Sequence, residues 1–223
     1  MFTQGWSDPA GADPRSRGLV DEALFLGRLI AALLPAEAEP MGLLALMLYA
    51  HARRAARRDA QGRFVPLDAQ DTALWDAALI DEAEALMLKA VQLGRVGRFQ
   101  LEAAIQSAHA YRRLTGQTDW AAVVSLYDAL LAQTGSVVAA LNRAVALSRL
   151  TGPADGLAAL DALADDPRLE DYQPYWAARA DLCHRAADRP GALYAYDRAI
   201  GLESDPAVRG LLQDRLAELN AHD

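Results

Sequence analysis

Leu126-Tyr127-Asp128-Ala129-Leu130 recurs as Ala159-Leu160-Asp161-Ala162-Leu163 and again as Ala195-Tyr196-Asp197-Arg198-Ala199. The aligned aspartates stand 33 and then 36 residues apart (161 − 128 and 197 − 161). A second segment with helical character follows each echo, over residues 136–150, 171–186 and 205–219. A period of roughly 34 residues built from two helices is the mark of a helical-hairpin repeat, whose units bury their apolar faces by stacking on neighbours.

Punctuation supports these boundaries. Asp119 reads as an N-cap before Trp120, Gly135-Ser136 separates two helices, and Gly152-Pro153, Pro190 and Asp205-Pro206 each start a new one. Trp120, Val123, Tyr127 and Leu130 make an apolar stripe. Further out, residues 1–15 read as a loop with Phe2 and Trp6 as anchors. Leu19, Ala23, Leu26, Leu29, Ile30 and Leu33 then fall at helical spacing until Pro35. Glu39-Pro40 opens a second helix carrying Leu43, Leu44, Met47 and Leu48, which ends in HARRAARR. Residues 57–69 read as an irregular insertion, with a turn at Gln61-Gly62 and extended chain at Phe64-Val65-Pro66. Helices are expected from about Gln70 to Leu93 and from Phe99 to Arg113. The expected fold is all-α, a right-handed α-solenoid of stacked antiparallel helix pairs, about ten helices in all. Two pairs fill 1–118, tetratricopeptide-like repeats fill 119–223, and the two parts join in one continuous body.

Composition agrees with a helical body and narrows the function. Hydrophobic residues make up 52% of the 223, enough for a core, and the net charge is −8. A free-standing nucleic-acid binder would carry a basic excess instead, so direct nucleic-acid binding is not expected. Cys183 is the single cysteine, which excludes a disulfide framework and a thiolate metal cluster. MFTQGWSDPAGADP has neither the charged nor the apolar region of a signal peptide, and no apolar run reaches the ~18 residues of a membrane span. The expectation is a cytoplasmic protein with no membrane contact.

Catalytic spacings are missing. There is no HExxH, paired CxxC, GxSxG or GxxxxGK[ST], so neither an enzyme nor a cofactor or metal is expected. Gly94-Arg95-Val96-Gly97-Arg98 reads as a helix stop and turn rather than a phosphate cradle. His51, His109, His184 and His222 are scattered, Cys183 reads as a small core residue, and Asp165-Asp166-Pro167 reads as a turn. Two polar groups are candidates for partner binding. Arg53, Arg54, Arg57 and Arg58 concentrate cations at a helix end, where they either complement its dipole or form a docking patch. Asn142-Arg143 lies in an apolar helix, where it either clamps a peptide or ties helices together. Trp75, near a conceivable pocket with His109, completes the candidate set.

The segment from Leu29 to Ile80 resembles the start of the C-terminal extension in one group of bacterial extracytoplasmic-function sigma factors. The likeness continues through GRFQLEAAIQSAHA, TDWAAVVSLYDALL, VVAALNRAVAL and the final RLAEL. In that group a tetratricopeptide-like domain follows the promoter-binding regions. MFTQGW resembles the junction after those regions, where the family reads closer to FNEGY, so the chain is expected to be the isolated extension. The resemblance implies a protein-interaction and regulatory domain that modulates transcription initiation. Its partners would be the absent promoter-binding regions, RNA polymerase or a regulatory protein. The alternative is a stand-alone tetratricopeptide-like scaffold for a peptide or protein.

Overall fold

The structure, a computed structural model, describes residues 14–221, with side chains from residue 18. Phe2, Trp6 and His222 lie outside the described residues. Among the described residues the chain forms ten helices of nine residues or more and no β-strand. It divides into two compact units, Met1–Asp119 and Trp120–Asp223.

In the first unit, α1 (Pro14–Leu33), α3 (Ala77–Gln92) and α4 (Arg98–Ala110) all pack on α2 (Ala38–Ala52), and a single turn, α5 (Arg112–Thr115), follows. The reason lies in AEPMGLLALMLYAHA: a helix apolar around its whole circumference has to be enclosed. Leu44, Ala45, Leu48 and Tyr49 are at most 2% exposed. The sequence pairs α3 with α4, whereas here α2 is the main neighbour of both.

Two local expectations are corrected. α3 starts at Ala77 rather than near Gln70, because both Asp71 and Asp76 act as caps. Asp71 accepts from Ala73 N–H and closes a 3-10 turn at Thr72–Leu74, while Asp76 accepts from Ala78 and Leu79 N–H and begins the α-helix. In α1 most of the apolar residues at helical spacing are exposed: Leu26, Leu29, Ile30 and Leu33 face outward, while Ala23 is buried. The buried side consists of Val20, Ala23, Leu24, Gly27 and Ala31, and Gly27 lets α1 lie close to Leu44 of α2.

The second unit contains α6 (Trp120–Thr134), α7 (Val137–Leu150), α8 (Pro153–Asp161), α9 (Gln173–Arg185), α10 (Arg189–Leu202) and α11 (Pro206–Ala221). Each packs on the next in sequence, and α7 also touches α9. The stops and starts follow side-chain chemistry. The Ser136 hydroxyl accepts from Ala139 N–H, Asp188 from Gly191 N–H and Asp205 from Ala207 N–H, so each satisfies a free donor at a helix start.

Two of the three periodic aspartates join helices. Asp128 on α6 pairs with Arg143 on α7, and Asp161 on α8 pairs with Arg179 on α9 at 2.7 Å. The same tie therefore joins the two helices of successive hairpins. A second periodic feature is small. A Cβ on Gly156 would sit 2.5 Å from Ser148 Cβ and 3.0 Å from the Ala144 carbonyl, so only glycine lets α8 lie this close to α7. Gly191, 35 residues on (191 − 156), occupies the matching place at the start of α10, beside Cys183.

Candidate functional site

The arginines at the end of α2 are bound into the fold. The Arg57 guanidinium donates to the Ala50 carbonyl at 3.0 Å, in the last turn of α2, where a cation complements the negative helix end. Burial lowers its pKa to about 9, and the charges of Arg53 and Arg54 push the same way. Arg53 donates to the Gln106 side-chain carbonyl on α4 at 2.5 Å. Arg58 donates to the Gly62 carbonyl at 3.1 Å and holds the turn of the insertion, where Arg58 and Phe64 form an isolated bridge. Arg54 is exposed. Three of the four cations thus serve the fold, Arg53 and Arg57 at the end of α2 and Arg58 in the loop, while Arg54 stands exposed.

Trp75 is 5% exposed and belongs to the core of the first unit. Arg112 covers its ring, with the guanidinium carbon 5.2 Å from the centroid. The same guanidinium donates to the carbonyls of Leu67, Asp68 and Gln70 at 2.9–3.0 Å, fastening the irregular segment to α5. His109 stands by this cluster. Burial, reinforced by Arg53 and Arg112, depresses its pKa to about 4, so the imidazole is neutral at pH 7.

The glycine-rich loop before α4 already holds an anion from within the chain. The Glu39 carboxylate accepts from Phe99 N–H at 3.0 Å and Gln100 N–H at 3.3 Å, at the start of α4 where a phosphate would bind. The Gln100 side chain donates to the Arg95 carbonyl at 2.7 Å and ties the loop down. Sequence reading missed Glu39, which lies sixty residues from its target (99 − 39) and carries no local signal.

In the second unit Asn142 is exposed and Arg143 is half-buried on Asp128. Arg185 performs a related task, donating to the hydroxyl and carbonyl of the buried Ser148 at 3.1 and 3.0 Å and tying α9 to α7. Cys183 is buried, which raises its thiol pKa to about 11 and keeps it protonated at neutral pH. Asp166 accepts from Arg168, both backbone and guanidinium, and its pKa falls to about 2 for that reason. Among the described residues no three His, Cys, Asp or Glu side chains gather as metal ligands, and no helix is long and apolar enough to cross a membrane.

Comparison with known proteins places these features in context. Residues 1–91 match a family of unknown function, DUF6596. An uncharacterized protein of Rhizobium meliloti (strain 1021) is 40% identical over 221 residues, 99% of this chain. The chain spans about half the length of that relative, 52%. No solved structure matches.

Proposed function

We propose that this chain is a protein-interaction and regulatory module of an alternative RNA polymerase sigma factor, acting in the cytoplasm on transcription initiation. The observation that carries the reading is the ordered run of three segments, residues 52–63, 70–80 and 141–147, each resembling the extension of one sigma group. The relative's length supports it, since a region aligned with half of a longer protein suits a module that acts on the other half. The second unit is read as a right-handed, tetratricopeptide-like α-solenoid. Its support is the spacing of 33 and 36 residues, the packing of each helix on the next and the repeated Asp–Arg ties.

In this reading the module contacts the promoter-binding regions, the polymerase or a regulator, and shifts sigma between competent and occluded arrangements. The repeats alone also favour a second reading, a stand-alone scaffold for a peptide or protein partner. An in-frame sigma region upstream of codon 1 rejects that alternative. The main reading is tested by deleting the matching segment from the full-length relative and measuring transcription from a dependent promoter. A change in output is expected, and unchanged output across inducing conditions overturns the reading.

A further inference from the structure

We propose that the groove between α1 and α3 is a binding site for a small amphiphilic monocarboxylate, which lays its apolar body on the groove floor and its carboxylate on Lys89. The site belongs to the first unit alone and stands independently of the sigma reading.

The open groove holds about 540 Å³, within the range of roughly 300–1,000 Å³ that small-ligand sites occupy. Its floor is the start of α2, where Met41 is 7% and Leu44 2% exposed, with Ala31 of α1 beside them. Pro35, Leu86 and Leu93 complete the apolar walls. Arg28 of α1 crosses to Glu82 of α3 in two 2.8 Å bonds, so the two helices are joined at this point and the two charges cancel. Lys89 stands seven residues further along α3 (89 − 82), about 10 Å at the helical rise.

The lining itself decides the charge of the occupant. It contains three charged residues, Arg28, Glu82 and Lys89, of which the first two neutralise each other. Lys89 is the single lysine among the chain's 22 lysines and arginines. Among the described residues its ammonium has neither an ion pair nor a hydrogen bond. Its neighbours three and four positions away on α3 are Ala85, Leu86, Gln92 and Leu93, so its own helix supplies no carboxylate. Carboxylates on the adjoining elements are engaged elsewhere: Asp81 with Arg113, Glu84 with Ser107, and Glu39 with the amides of Phe99 and Gln100. Glu37, in the turn after α1, is not part of the lining.

A lysine in the last turn of a helix complements its dipole in any setting. Here its stem also shares one helix face with Leu86 and Leu93, which joins the apolar wall to an unpaired positive charge. Gln92 lines the same end and adds an amide donor. A trough of this kind matches an anion carried on an apolar body. A cationic amphiphile sets its charge beside Lys89, and a neutral alcohol gains nothing from the ammonium. Octanoate, with an extended length on the order of 10 Å, spans the stretch between Lys89 and the Arg28–Glu82 bridge.

The test uses the full chain, reductively methylated with isotope-labelled formaldehyde. Methylation keeps the charge and marks one side chain, Lys89, besides the α-amine. In NMR spectra octanoate, added below its micelle-forming concentration, should shift the Lys89 signal saturably. By calorimetry on the untreated chain, octanol and octyltrimethylammonium should bind at least about tenfold more weakly. Lys89→Gln should weaken octanoate by about tenfold or more and leave octanol unchanged. Ala32→Trp, which fills the groove, should weaken both, and Leu29→Gln, on the outward side of α1, should change neither. Circular dichroism checks that each variant is folded. The proposal is overturned by a shift that never saturates, by equal affinity for octanoate and octyltrimethylammonium, or by indifference to Lys89→Gln or Ala32→Trp. It is also overturned if Leu29→Gln weakens octanoate as much as Ala32→Trp does, because the ligand then lies on the outward face.

Discussion

Replacing Glu39 by alanine removes the anion that caps α4, and its consequences are tied to a glycine 58 residues away (97 − 39). A side-chain cap contributes about 1 kcal/mol, and a negative charge at a helix start adds about 0.3–1 kcal/mol, so Glu39→Ala should destabilise the first unit by about 1–2 kcal/mol. Gly97 lies directly beneath that carboxylate. A Cβ there would stand 2.2 Å from Glu39 Cδ and 2.3 Å from Oε1, and ordinary contact needs more than an ångström of additional room. The backbone at Gly97 is extended (φ −114°, ψ 178°), so alanine meets no torsional objection. Gly97→Ala therefore acts by expelling the carboxylate, and it should cost about as much as losing the cap. Once Glu39 is alanine the obstruction is gone, and Gly97→Ala should cost only about 0.5 kcal/mol, the ordinary disadvantage of alanine at an N-cap. The coupling in a double-mutant cycle is then about 1 kcal/mol. Urea denaturation gives the stabilities. Because the chain has two units, amide exchange at Phe99 and Gln100 is the sharper local readout. Both amides should exchange faster in either single variant. Additive costs, with protection of those two amides unchanged, would refute the capping role of Glu39.

Two further predictions concern charge. His109 has a folded-state pKa of about 4 against an ordinary value near 6.5, so between those values the unfolded chain binds more protons than the native one. Its contribution is fully present above pH 6.5 and is lost as pH falls towards 4; His109→Gln should flatten that part of the stability curve, and imidazole NMR should find no protonation of His109 at pH 5.5. Removing the exposed Asp128–Arg143 pair by Asp128→Ala should cost no more than about 1 kcal/mol, and the exchange Asp128→Arg with Arg143→Asp should recover most of it; a loss well above 2 kcal/mol in urea denaturation would mean that the pair does more than join α6 to α7.

Sequence periodicity is informative where one face of a helix is polar. In the second unit Asp128 and Asp161 each tie the two helices of a hairpin, and turns at Gly135 and Gly152 separate the helices. Gly156 makes room for α7 and Gly191 for the Asp188 cap and Cys183, yet a glycine inside a helix looks like noise until its neighbours are known. In α1 the spacing picks out Ala23 together with the bulky Leu26, Leu29, Ile30 and Leu33, whereas the covered side is made of Val20, Ala23, Leu24, Gly27 and Ala31. A helix with apolar residues all round offers no contrast from which to choose a face. Asp71 and Asp76 pose a related problem, since two caps five residues apart (76 − 71) leave two possible starts for one helix. Glu39 and Arg112 act across long stretches of chain, and nothing nearby in sequence announces their targets.

The candidate cations illustrate why a cluster of like residues is a weak guide to a binding surface. Arg57 on the Ala50 carbonyl, Arg53 on Gln106, Arg58 on Gly62 and Arg112 on three carbonyls all engage neutral acceptors inside the first unit. Displacing Arg53, Arg57 or Arg112 towards an external anion would leave a part-buried acceptor without a donor, at about 1–3 kcal/mol each. An incoming carboxylate would have to exceed that loss as well as its own desolvation. The outward face of α1 carries no such debt, because Phe25, Leu29 and Leu33 are already in water and gain from being covered.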